Sequence, residues 1–235
     1  MKLLMATRAD VGISDYLIHT LPILKRYAKK WGAEFKILDK SYGPVFQRFL
    51  SLHELLDEYD RVFHVDADIV ITKTCPNIFE SVPYDTIGFV FEDKGSRLRN
   101  RRARIAQIKS IYGGNERWTT GYFNAGVFIV SRPHKEVFTR INGKFWGEDF
   151  KVKAMGADQT HLGYQIMKQG QKYIDLDFKF NHMSMFSEPW NGSPSRFDSY
   201  IIHYAGKASF PDKGNRSRTE MIKDDIRQIY GQFIV

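Results

Sequence analysis

Along the first half of the chain, apolar and polar positions fall into alternating strand-like and helix-like blocks. Leu3 to Ala6 is a short apolar run, and Tyr16 to Tyr27 carries Leu17, Ile18, Leu21, Ile23 and Leu24 at helical spacing. The segment AEFKIL predicts a second strand, Phe46 to Leu56 a second helix, Val62 to Ile71 a third strand and Ile87 to Phe91 a fourth. This order predicts an α/β fold with a mixed, mostly parallel central sheet flanked by helices. The second half is less regular. GYFNAGVFIVS reads as a strand interrupted by Asn124 and Gly126, and SYIIHYAG as another. Asp158 to Gln169 predicts a helix with Asp158 as N-cap and Gly170 past its end, and Thr219 to Tyr230 a closing helix striped by Ile222, Ile226 and Ile229. No repeat and no Gly/Ser- or Pro-rich linker divides the chain, so residues 1–235 read as a single domain.

Composition narrows the class. An apolar content of 43%, with 14% aromatic residues, supplies a core and excludes a disordered chain. The longest apolar runs fall short of a membrane span, and MKLLMATRAD reads as a first strand rather than a signal peptide. Cys75 is the single cysteine, which excludes an internal disulfide framework and makes cytoplasmic residence the expectation. A net charge of +8 favours anionic partners, among which nucleic acid, phosphorylated small molecules and acidic membranes all qualify.

One segment conflicts with its own pattern. RVFHVDADIVIT is apolar enough to be buried on both faces, yet it holds Asp66 and Asp68 with only Ala67 between them. Unpaired buried charges cost several kcal/mol each. Open α/β sheets bind ligands at the carboxyl ends of their strands. If the strand ends near Asp66, both carboxylates face one side and can share Mg²⁺ or Mn²⁺, hard cations that suit oxygen ligands. The other reading is a loop start with two solvated aspartates, or Asp68 capping a turn.

YDRVFHVDADIVIT resembles the Asp-x-Asp segment of nucleotide-sugar glycosyltransferases of the Rossmann-like GT-A fold, especially the retaining, glycogenin-like family 8. Three more segments match that family in order: YFNAGVFIVSR its Asn-Ala-Gly strand, ADQTHL its Asp-Gln pair, and IIHYAGK its late His-x-x-Gly element. The resemblance implies a metal-dependent enzyme that moves a sugar from a nucleoside diphosphate donor, UDP-linked above all, to a glycan, lipid-linked or protein hydroxyl, with retention of configuration. It implies Asp66, Asp68 and His203 as ligands of Mn²⁺ (or Mg²⁺), and Arg48 as a donor contact.

The same resemblance makes Asp158 the residue that orients the transferred sugar, with Gln159 beside the anomeric carbon. Read from chemistry alone, Asp158 needs no role beyond capping. Asn124, Ala125 and Gly126 suit close approach to a sugar hydroxyl, or else mark a strand bulge. His203 can be a satisfied core histidine, but Gly206 and Lys207 after it suit a diphosphate. The resemblance also implies that Ala6 and Thr7 meet the nucleoside through their backbone, with Arg8 and Asp10 as candidates for base or ribose. One departure stands out. The family continues to a Lys-Pro-Trp whose lysine contacts the diphosphate; here the chain reads HYAGKASFPDKGNR, leaving Lys207, Lys213 and Arg216 as candidates.

Arg97, Arg99, Arg101, Arg102 and Arg104 form a basic run that reads as a solvated helix face, or as a surface for an anionic acceptor or a peripheral membrane contact. No nucleic-acid motif accompanies it, so a nucleic-acid partner is not expected. Trp118, Trp146 and Trp190 can floor an acceptor subsite or pack in a core, and Glu148 and Asp149 are spare carboxylates for the acceptor. Two alternatives remain: a sugar-phosphate nucleotidyltransferase, disfavoured because ATRADVGISD lacks a Gly-rich basic loop, and a non-catalytic basic polyanion-binding module.

Overall fold

Three parallel strands form one half of the sheet: β1 (Leu3–Arg8), flanked by β2 (Glu34–Leu38) and β3 (Arg61–Val65). The computed structural model describes residues 1–9, 14–38, 47–113, 117–146 and 157–231. Helices α1 (Ser14–Lys30) and α2 (Gln47–Glu58) make the crossovers, as the periodicity predicts. Ile18, counted in the apolar stripe of α1, is instead exposed; Ile23, Leu24 and Tyr27 carry the packing.

The sheet continues as β2-β1-β3-β6-β5-β7, with β5 (Ile87–Phe91), β6 (Phe123–Ser131) and β7 (Tyr173–Asp175). Only β6 runs against the others. Every one of its nine residues is buried. Alternate side chains go to opposite faces: Val127 and Ile129 join the core under α1 and α6 (Arg218–Tyr230), whereas Phe128 and Val130 join the core under α2 and α5 (Ala157–Lys168). A third cluster packs Trp118, Tyr122, Trp146 and Tyr164 against Ile105 and Ile108 of α4 (Leu98–Tyr112). A one-turn helix, α3 (Ile78–Ser81), follows the Asp-x-Asp region.

The expected strand Val62–Ile71 is broken. β3 ends at Val65, and the chain bends through Asp66, Ala67 and Asp68 into β4 (Ile69–Ile71), which leaves the main sheet and pairs antiparallel with β8 (Ile201–His203). Both pieces are fully buried, which is why the apolar run looked continuous. Burial on both sides comes from two different sheets.

Candidate active site

Because β6 runs backwards, its first residues lie at the carboxyl edge where β3 ends, and Asp66 N donates to Gly126 O at 2.7 Å. The β5–β6 register jumps between Phe89 and Phe91, opposite the Asn124–Gly126 stretch, so the bulge reading of that segment holds alongside any ligand role. The Asp66–Asp68 bend is anchored from two further elements. Thr20 of α1 donates its hydroxyl to Ala67 O at 2.7 Å, and Tyr204 N donates to Asp68 O at 3.0 Å.

His203, at the end of β8, reaches this bend. Its Nε2 lies 3.4 Å from Asp68 Oδ1 and 3.8 Å from Asp66 Oδ2. One ligand atom from each of the three residues lies within 4.8 Å of the others, a spacing that one small cation can bridge. The residues fit such an ion in a second way. A Cβ on Gly126 would fall 2.4 Å from His203 Cε1 and 2.6 Å from Asp66 Oδ2, so the glycine keeps the cradle open. Asn181 Oδ1 accepts from His203 Nδ1 at 2.8 Å, leaving the Nε2 lone pair toward the carboxylates.

Two guanidiniums face the acids. Buried Arg48 lies 3.3 Å from Asp66 Oδ1 and also donates to Asp158 Oδ2, 110 residues after it, so that it joins the Asp-x-Asp and Asp-Gln motifs. Arg218, at the start of α6, lies 2.9 Å from Asp68 Oδ2, donates to Gly206 O and stacks on the Tyr16 ring. Burial pushes both aspartates up. For Asp66 burial prevails over Arg48 and His203, and its carboxyl sits above the usual range even though a third of the side chain meets solvent. For Asp68, His203 and Arg218 prevail and its carboxyl sits below it. Burial pushes the His203 imidazole down, but Asp68 and Asp66 outweigh it and hold the imidazole above its ordinary value.

Asp158 lies inside the first turn of α5 rather than capping it, because the helix already includes Ala157; its Oδ1 accepts from Gln159 N at 2.9 Å. Gln159 Nε2 donates to Glu92 Oε1 at 2.5 Å. Glu92, fully buried at the end of β5, also accepts from Asn124 Nδ2 at 3.1 Å and pairs with Arg97 at 2.9 Å and with Arg101. The basic run is therefore not a uniformly solvated face: Arg97 and Arg101 turn inward to a buried carboxylate, Arg102 meets Asp93 at 3.3 Å, and Arg99 stays exposed.

Other expectations separate. Ala6 and Thr7 are buried at the end of β1, with Arg8 half-buried after them; Asp10 lies outside the described residues, as do Glu148 and Asp149. Ala125 is buried beside Gln159. Gly206 and Lys207 are exposed in the turn after β8. Lys213 donates to Lys207 O, and Arg216 pairs with Asp212 and Asp224, so both are engaged away from the aspartates. Trp118 and Trp146 belong to the third cluster, which rules them out as an acceptor floor; Trp190 is exposed and lies over Gly95.

Three residues at the site were not foreseen: Glu92, Asn181 and Arg218. Glu92 carried a signal, because FVFED repeats the pattern of an apolar strand closed by acid. Nothing local marks the other two.

The fold is that of GT-A glycosyltransferases. A galactosyltransferase, LgtC, in complex with donor and acceptor sugar analogues superposes with a TM-score of 0.59 at 17% identity, covering 97% of this chain and 96% of that one. A glycosyltransferase involved in glycosylation of the major capsid of PBCV-1 gives 0.59 at 13% identity, covering 95% and 98%. The glycosyltransferase GlyE of Streptococcus pneumoniae gives 0.54 at 14%, covering 95% and 60%. No curated protein sequence matches the chain. Residues 36–209 match glycosyl transferase family 8, and the chain belongs to that family; it is a glycosyltransferase. Membership sets aside the nucleotidyltransferase and the non-catalytic module. Among the described residues, no helix is long and apolar enough to cross a membrane.

Proposed function

We propose that the chain transfers a hexose-type sugar from a UDP-sugar to a hydroxyl acceptor, with retention, using Mn²⁺ or Mg²⁺ held by Asp66, Asp68 and His203. The observation that carries this reading is the convergence of those three side chains at the carboxyl edge of β3, in a cradle kept open by Gly126. A bound divalent ion would neutralise charge on the departing diphosphate. Its histidine ligand favours Mn²⁺ over Mg²⁺.

The chain's own groups supply the rest. Arg218 is the cation we assign to the diphosphate in place of the missing lysine, since it already stands beside Asp68 while Lys213 and Arg216 are committed elsewhere. Lys207 lies in the neighbouring turn and can assist. Asn124, Ala125 and Gly126 line the sugar's side of the cleft, and Ala6, Thr7 and Arg8 the nucleoside's. Asp158, held by Arg48, orients the transferred sugar. That ion pair makes Asp158 a poor covalent nucleophile, which favours same-face attack, the leaving phosphate taking the acceptor's proton. Gln159 is the residue we assign beside the reacting carbon; a structure of LgtC is of an active-site mutant, glutamine to glutamate. The acceptor is a glycan, a lipid-linked sugar or a protein hydroxyl; exposed Arg99 suits an anionic one.

Isothermal titration with UDP and Mn²⁺ tests the reading. Binding that is lost in Asp68→Ala supports it; no binding, or binding unchanged in that variant, overturns it. Hydrolysis across UDP- and GDP-sugars then names the donor without the acceptor.

A further inference from the structure

Glu92 lies within the protein, yet a line of side-chain hydrogen bonds leads from it to the candidate metal ligand His203. Its carboxylate is fully buried between two guanidiniums, Arg97 and Arg101, and can only accept. Asn124 must therefore turn its Nδ2 toward Glu92, at 3.1 Å, and its Oδ1 away. That Oδ1 accepts from Gly126 N at 2.8 Å and from Asn181 Nδ2 at 3.1 Å. With its Nδ2 so used, Asn181 presents Oδ1 to His203, which can meet it only with Nδ1–H, at 2.8 Å. The tautomer left has its lone pair on Nε2, aimed at Asp66 and Asp68. Each link is buried, so water cannot substitute for a partner facing the wrong way. Neither carboxamide has a preferred orientation of its own; the acceptor at one end and the backbone N–H of Gly126 impose it.

We propose that Glu92 is a positioning residue. Its carboxylate sets the orientation of Asn124 and Asn181, and through them the His203 tautomer that can hold a divalent cation. The cation rests on the function proposed above; the tautomer does not. Glu92→Gln keeps size and shape but puts an amide where four donors converge, Arg97 and Asn124 on one oxygen and Arg101 and Gln159 on the other. One of these pairs loses its acceptor. Gly126 N–H still holds Asn124, so the expected result is a weakened preference rather than full reversal.

The test has two readouts on the full chain. Nitrogen-15 NMR of the imidazoles, in mildly alkaline buffer without metal, should show His203 protonated on Nδ1 in the wild-type chain and a mixed population in Glu92→Gln. Titration with Mn²⁺ alone should show about a tenfold loss of affinity in that variant, the lower end of what outer hydrogen-bond partners of a ligand confer. A neutral wild-type imidazole that carries its single proton on Nε2 overturns the proposal, and needs no variant to fold. So does a folded Glu92→Gln with unchanged tautomer and affinity. If the wild-type chain binds no Mn²⁺, the metal reading fails while the NMR still decides the role of Glu92.

Discussion

Gly126 and His203 occupy contiguous space: a methyl group on the glycine would stand 2.4 Å from His203 Cε1. The nearest obstacles are an imidazole buried to 2% exposure and the Asp66 carboxylate, so neither yields without leaving the cleft. Gly126→Ala should therefore misplace the ligand set, with turnover down about 10²-fold, the scale of an ångström-sized displacement of reacting groups. Mn²⁺ titration and donor hydrolysis on the folded variant check this. Wild-type values in both would mean the imidazole is dispensable.

Arg48 is the counter-charge for Asp66 and Asp158 at once. Arg48→Met leaves the mostly buried Asp158 carboxylate without its partner and the partly exposed Asp66 with one fewer, and breaking a buried pair costs up to about 3–5 kcal/mol. For a chain of this size the melting temperature should fall by about 10 °C. Adding Asp158→Asn should recover part of that fall in a thermal melt. A double variant as unstable as the single one would show that Arg48 acts through packing alone.

Arg218 and Arg216 lie two residues apart but have different partners, Asp68 for the first and Asp212 and Asp224 for the second. If Arg218 contacts the diphosphate, Arg218→Ala should raise the donor KM about ten- to a hundredfold, the worth of a charge-assisted hydrogen bond. Arg216→Ala should leave it within about twofold, as exposed pairs contribute little. Initial rates against donor concentration separate the two.

The pH dependence of stability has one clear contributor far from the cleft. The Arg196 guanidinium holds the Asp212 carboxyl down at about 2, against an ordinary 3.8. A depressed carboxylate stabilises the fold above its unfolded value, and this is lost as pH falls from about 4 toward 2. The side chain is half exposed, so screening limits the effect to about 1 kcal/mol. Melting curves of wild type and Asp212→Asn should separate above pH 4 and converge near pH 2. Parallel curves throughout would remove Asp212 as the cause.

Asp66 and Asp68 could be found in the sequence because carboxylates inside an apolar run violate the rule that buried charge needs a partner. His203 and Gly126 followed from the order of the matching segments. The aspartates also marked where β3 stops, but the resumption as β4 in a second sheet was not legible, since burial by one sheet and burial by two leave the same apolar string. Nor was the inward turn of Arg97 and Arg101. Helical spacing says which residues share a face, but the acid they meet stands just past the end of β5, beyond an intervening turn. Arg218 is similar: its partner lies 150 residues earlier, and only the docking of α6 joins them.

The two-stranded β4–β8 sheet is small, three pairs long, but Ile69 sits opposite His203 in it and Asp68 immediately precedes Ile69. Its register is therefore a gauge. Sliding one strand by a single residue would carry the imidazole about 3.4 Å along the ladder and turn it to the other face. The buried apolar side chains of Ile69, Val70, Ile71, Ile201 and Ile202 thus fix how far the imidazole stands from the two carboxylates.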